Sequence, residues 1–180
     1  MKNLIFALAF TLVAPAIATA ADDAKKTEKR EAIMKMRDAT LERLYKAQPE
    51  AKAVVAAAPG YAVFDATGVN LVLYVGGKGA GVLTDSATGQ STFMTMVRAG
   101  TGPGVGYKEF KQVIVFKTKK AMDLFLSAGV DVGSSFDFGS VFQKGQSFNP
   151  DFTLYQITDK GFTAQANWGG TKYFKDAELN

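Results

Sequence analysis

From Glu31 onward the apolar residues Ile33, Met36, Leu41, Leu44 and Tyr45 recur close to helical spacing. Lys35, Arg37, Asp38, Glu42, Arg43 and Lys46 fill the positions between them. This period predicts an amphipathic helix reaching about Gln48. Pro49 either ends it or opens a short second helix through Ala57, because proline is tolerated in a first helical turn. Pro59-Gly60 then breaks the helix. The preceding stretch, 21–30, is polar and charged, has nothing to bury, and reads as a flexible N-terminus.

Beyond Gly60 the helical period gives way to short β-like runs: Tyr61–Asp65, Leu71–Val75, Gly81–Thr84, Ser91–Val97 and Gln112–Lys117. Asp85-Ser86-Ala87-Thr88-Gly89 reads as the turn of a hairpin. Val113-Ile114-Val115-Phe116 is apolar on both faces, as expected of a central, doubly covered strand. Thr118 is placed to cap a short helix with Met122, Phe125 and Leu126 on one face and Gly129 as its stop. The segment 130–150, rich in Gly, Ser and Phe, shows no clear period. A final hairpin is expected from Phe152–Thr158, a turn at Asp159-Lys160-Gly161, and Phe162–Trp168. No linker divides the chain. The expected class is α+β: N-terminal amphipathic helices packed on a curved, mostly antiparallel, glycine-rich sheet, with one short helix after a central strand.

Within the β-like region glycine falls at every second position twice, at Gly77, Gly79 and Gly81 and at Gly100, Gly102, Gly104 and Gly106. Alternate residues of a strand share a face, so each run presents a face without side chains. Such a face suits close approach of another backbone, a packed helix or an apolar ligand. Two readings follow: a tight sheet, or an apolar groove for an acyl chain or inserted helix. A nucleotide-binding reading fails on spacing. The residues three beyond Gly79, Gly81, Gly102 and Gly104 are Val82, Thr84, Val105 and Tyr107, and Lys78 is followed by Gly79.

The first residues change the picture of where this domain works. Met1-Lys2-Asn3, the apolar Leu4–Val13 and the small residues Ala18-Thr19-Ala20 have the layout of a secretory signal peptide cleaved after Ala20. A membrane anchor needs about 18–20 apolar residues, and Pro15 and Thr19 interrupt this stretch. The expected division is a leader over 1–20, a flexible segment over 21–30 and one domain over 31–180, placed in the periplasm. Of the 21 Lys and Arg one, Lys2, lies in the leader, leaving 20 against 17 acidic residues. That mild excess is compatible with an anionic surface. No basic recognition motif appears, and nucleic acid is not expected as a partner.

The chain has no cysteine and no histidine. Histidine-based triads, cysteine nucleophiles, disulfides and the usual zinc sites are therefore excluded together. Asp131, Asp137, Asp151 and Asp159 do not fall at calcium-loop spacing. No enzyme activity, cofactor or metal is expected. The residues that do suggest a contact are Lys119 and Lys120. In the first turn of a helix capped by Thr118 they oppose the dipole by roughly 0.3–1 kcal/mol each. With Lys117, Lys111 and Lys108 close in sequence they make a candidate phosphate-headgroup site. The alternative is a solvated lysine edge that keeps a strand from pairing with other chains.

Several of these segments occur together in a known order. Gly60-Tyr61-Ala62-Val63-Phe64 and Gly76-Gly77-Lys78-Gly79-Ala80-Gly81-Val82 precede Phe93-Met94-Thr95-Met96. Gly102-Pro103-Gly104-Val105-Gly106-Tyr107-Lys108-Glu109-Phe110, Val113-Ile114-Val115-Phe116 and the ending from Gly170-Thr171-Lys172-Tyr173 to Asn180 follow. The series resembles the SYLF lipid-binding domain family in its exported bacterial branch, from about Ala51 to Asn180. The resemblance implies binding of anionic lipid through a basic surface and an amphipathic helical segment. Where relatives often carry tryptophan, this chain has Val130 and Phe174. The expected function is that of a non-catalytic periplasmic protein associating with anionic phospholipids or a membrane surface. An envelope scaffold that binds a protein partner through a sheet edge is the alternative.

Overall fold

The computed structural model describes residues 15–128, 142–143, 151–158 and 168–180. The apolar start of the expected leader, most of the 130–150 segment and the turn and strand expected over 159–167 lie outside the described residues. Helix α1 spans Pro15–Ala47, α2 Glu50–Ala57, and strands β1 and β2 Gly60–Asp85 and Ser91–Phe116. Helix α3 covers Lys119–Ala128. Strands β3 (Phe142–Gln143), β4 (Phe152–Thr158) and β5 (Trp168–Lys175) follow. The fold is α+β, with α1 packed on an open antiparallel sheet and α3 placed after the central strand.

Helix α1 begins upstream of the expected start at Glu31, so 21–30 is helical. Charged side chains support it there: Lys26 meets Asp22 one turn earlier at 2.8 Å, and the Arg30 guanidinium donates to the Leu179 carbonyl at 2.7 Å. Further along, the expected stripe packs on the sheet. Leu41 and Leu44 are buried with Val63, Val113, Val115 and Tyr155. Pro49 sits at the start of α2, which sets Ala51 and Val55 into the same layer.

The five short runs of the sequence reading merge into two strands of 26 residues each. The glycine stretches between them stay extended and pair too, so they do not mark boundaries. β1 and β2 are antiparallel in register from Gly60↔Phe116 to Thr84↔Ser91, with one shift between Val72 and Tyr74. At the turn, Asp85 Oδ1 accepts the amides of Ala87 and Thr88 at 2.9 and 3.0 Å. Gly89 supplies the left-handed residue at φ 71°.

A straight strand of that length would reach ~85 Å. Instead β1 doubles back on itself. The Ser86 amide donates to the Pro59 carbonyl at 2.9 Å, and the Thr67 hydroxyl approaches the Lys78 carbonyl at 3.5 Å. The side-chain-free face explains how this is possible. A β-carbon at Gly77 would stand 2.9 Å from the Thr67 carbonyl oxygen, and one at Gly79 2.5 Å from that of Asp65. One at Gly81 would collide with the Val63 carbonyl and the Phe64 ring. Strand β4 extends the second half of β2, from Phe110↔Thr158 to Phe116↔Phe152. Strand β5 pairs with the first half, from Met94↔Lys175 to Thr101↔Trp168. The strand that begins at Trp168 is thus a partner of β2.

The sheet separates two apolar layers. Val113 and Val115 face α1, whereas Ile114 and Phe116 face Met122 and Phe125 of α3. This alternation is the doubly covered strand that the four apolar residues predicted. The Thr118 hydroxyl accepts the Ala121 amide at 3.1 Å and so caps α3 as expected.

Candidate functional site

The structure divides the lysine candidates. Lys117, Lys119 and Lys120 gather at the start of α3 and are exposed. Lys119 Nζ is bound by Asp123 one turn on, at 2.8 and 3.0 Å, and that hydrogen bond raises the ammonium above its usual pKa. Lys120 shares its side of the helix with Leu124, which is exposed. Lys111 lies six residues up β2 from Lys117, roughly 20 Å along the strand, and meets Asp65 at 3.4 Å. Lys108 pairs in register with Gly68 farther still. The five do not form one cluster.

The groove reading of the first glycine run is overturned. Backbone of β1 itself fills the space at Gly77, Gly79 and Gly81, leaving no room for an acyl chain. Gly100, Gly104 and Gly106 pair in the ladder with Val75, Val72 and Asn70, and Gly102 falls at the register shift. What packs on that second run lies outside the described side chains.

A different surface emerges from the pairing of β1, β2 and β5. Lys78, Val97 and Lys172 form one cross-strand row, and Ala80, Thr95 and Phe174 form the next. Cross-strand partners share a face, and on this face all but the half-buried Thr95 are exposed. Val97 is 44% exposed and Phe174 46%. One row farther, Val82 and Phe93 are buried against Ile33, Met34 and Leu179, so the exposed rows lie on the α1 side. The alternate residues Met94, Met96 and Tyr173 point to the α3 side. Two lysines therefore bracket the exposed Val97 across β1, β2 and β5, with no carboxylate between them. Asp176, which follows the last residue of β5, is held by the Thr95 hydroxyl and by the amides of Glu178 and Leu179.

Beside these rows lies an open depression of about 560 Å³, lined by Asp65, Thr67, Lys78, Ala80, Thr95 and Glu109 among others. Its carboxylates are positioned from outside. Lys111 holds Asp65, and the Tyr107 hydroxyl donates to Glu109 Oε1 at 2.8 Å. That bond to a carboxylate pushes the Tyr107 phenol above its usual pKa. Among the described residues no three acidic side chains converge as metal ligands, and no helix is long and apolar enough to cross a membrane.

Sequence reasoning missed this face because its members come from three strands. The one local signal was the alternation of Lys172 and Phe174 with Thr171 and Tyr173.

No protein-family profile matches the chain. It is similar to Beta cell expansion factor A of Aeromonas veronii, 39% identical over 157 residues. The match takes in 84% of this chain and 59% of that protein, so the chain spans about three fifths of its relative's length.

Proposed function

We propose that this is a non-catalytic, exported, SYLF-like protein that associates with anionic membrane lipid, and that the sheet face of Lys78, Val97, Lys172 and Phe174 makes the contact. The observation that carries the reading is the pair Val97 and Phe174, exposed beside Lys78 and Lys172 on the β2–β5 side of the face. Apolar side chains entering the headgroup region contribute roughly 25 cal/mol per Å² removed from water. Lysines beside them add about 1 kcal/mol each near an anionic leaflet. Lysine also lets its stem lie along apolar surface while the ammonium stays in water. The α3 lysines lie on the opposite side of the sheet and serve as a second, weaker basic surface.

Co-sedimentation with vesicles tests the reading. Binding to phosphatidylglycerol or cardiolipin vesicles is expected, weakening with salt, with little binding to phosphatidylcholine alone. Absence of binding to anionic vesicles at low salt overturns it. The scaffold alternative draws on β5, which among the described strands pairs with β2 alone and so has the geometry for strand addition.

A further inference from the structure

We propose that the depression beside this face is a headgroup site for a phosphate ester carrying a primary ammonium, the chemistry of phosphoethanolamine. The inference rests on the lipid-binding reading above and goes further, because lysines alone would not distinguish one phosphate from another.

The depression carries opposite charges at its two ends. Glu109 stands opposite Thr67 in the β1–β2 ladder, and Thr67 lies against Lys78 where β1 doubles back. The order Glu109, Thr67, Lys78 therefore crosses three neighbouring strand segments, with roughly 10 Å between the outer β-carbons. Asp65 and Thr95 belong to the next row. A phosphate meets the Lys78 ammonium, and the hydroxyls of Thr67 and Thr95 turn to it from their long bonds to the Lys78 carbonyl and Asp176. An ammonium two carbons beyond the ester oxygen meets Asp65 and Glu109.

The carboxylates are prepared for such a ligand. Each has one oxygen engaged, by Lys111 or by Tyr107, and the second retains lone pairs for an incoming N–H. A primary ammonium supplies those donors. A quaternary ammonium has none and leaves both carboxylates covered but unpaired, which is how a polar site rejects an analogue. A phosphate ester without a cation sets its charge against both. Val97 and Phe174, adjacent in the register, are placed to take the apolar side of a lipid whose headgroup is so held.

The test titrates the purified protein with O-phosphoethanolamine, O-phosphocholine and glycerol phosphate while backbone amide shifts are followed. Saturable shifts at Lys78, Thr95 and Glu109 are expected with phosphoethanolamine, and at least tenfold weaker binding with the other two. The double variant Asp65→Asn, Glu109→Gln is expected to keep its fold and lose the preference. Equal response to the three probes, no response, or shifts confined elsewhere overturns the site. A parallel arm compares phosphatidylglycerol vesicles containing phosphatidylethanolamine with vesicles containing the same fraction of phosphatidylcholine. Tighter binding to the former, lost in the double variant, places the headgroup on a lipid. A soluble preference without any vesicle binding keeps the site, assigns it to a free phosphoethanolamine compound and removes the lipid reading. Vesicle binding with no preference in either arm removes the site alone.

Discussion

The side-chain amide of Asn180 occupies the backbone of Phe93 as a neighbouring strand would. Its Oδ1 accepts the Phe93 amide at 2.9 Å and its Nδ2 donates to the Phe93 carbonyl at 2.8 Å. Arg30 stands over the Phe93 ring, 6.0 Å from its centre, and donates to the Leu179 carbonyl. The turn that follows β5 thus ties α1 to the first half of β2. Replacing Asn180 with Ala removes both bonds to Phe93. At about 0.5–1.5 kcal/mol net per hydrogen bond, a loss of roughly 1–3 kcal/mol is expected in urea unfolding. A variant as stable as the parent would show the clasp to be incidental.

The glycine contacts predict a graded series. Gly79→Ala places a methyl 2.5 Å from a carbonyl oxygen that belongs to backbone and cannot swing away. Overpacking of this kind costs about 1–3 kcal/mol, more for larger side chains. Gly79→Val is therefore expected to fold poorly or not at all. At Gly89 nothing lies within 4 Å, so Gly89→Ala meets only the cost of its left-handed backbone, roughly 1 kcal/mol. Thermal midpoints should fall from Gly89→Ala through Gly79→Ala to Gly79→Val.

Those glycines also show where the sequence was legible and where it was not. Helix α1, the cap at Thr118, the Asp85–Gly89 turn and the two-sided strand at 113–116 each rest on local spacing, and each was readable. The length of β1 and β2 was not, because glycine weakens the alternation that marks a strand and so imitates a boundary. The doubling-back of β1 brings Gly79 to Asp65 through long-range packing that no period encodes. Alternation narrowed the options to close packing or a groove, and the Asp65 carbonyl decides between them. The sheet face was hidden for a related reason. Val97 and Phe174 stand in adjacent rows only because β5 pairs with β2 across the sheet.

Helix α1 offers a test of whether its apolar stripe is core or membrane element. Leu44 is fully buried and Leu41 nearly so. Aspartate at both sites sets two charges without partners into an apolar layer, a cost well beyond typical domain stability. The double variant is expected to lose the native fold by circular dichroism. A folded variant that no longer binds vesicles would instead make α1 a membrane contact. Deleting 21–29 leaves Arg30 and the stripe in place and should change stability little.

Acid sensitivity of the β1–β2 turn follows from Asp85. Hydrogen bonds from the Thr88 and Ala87 amides lower its carboxyl pKa below the ordinary value. A folded-state pKa depressed in this way contributes stability above the unfolded pKa of about 3.9, and that contribution is lost as pH falls through the folded value. Asp85→Ala should therefore flatten the dependence of unfolding midpoint on pH below about 4, while leaving its slope near neutrality unchanged. An unaltered acid limb would remove the turn from the account of acid unfolding.

Charge reversal separates the two basic surfaces. Lys78 and Lys172 flank exposed apolar side chains, whereas Lys119 is already bound to Asp123 and lies on the α3 side. Removing two lysines that each contribute about 1 kcal/mol at an anionic leaflet weakens binding roughly thirtyfold, and reversing them weakens it further. The Lys78→Glu, Lys172→Glu variant is thus expected to lose phosphatidylglycerol binding by a hundredfold or more. The Lys119→Glu, Lys120→Glu variant should lose far less, since a bilayer resting on the opposite face lies beyond the Debye length of about 8 Å at physiological salt. Its stability should stay close to the parent's. Acidic side chains suit a helix start, which offsets the repulsion between the first substituted position and Asp123 one turn on. Should the second pair prove the more damaging, with its salt dependence lost, the lipid contact belongs to α3 and the sheet face must be given another role.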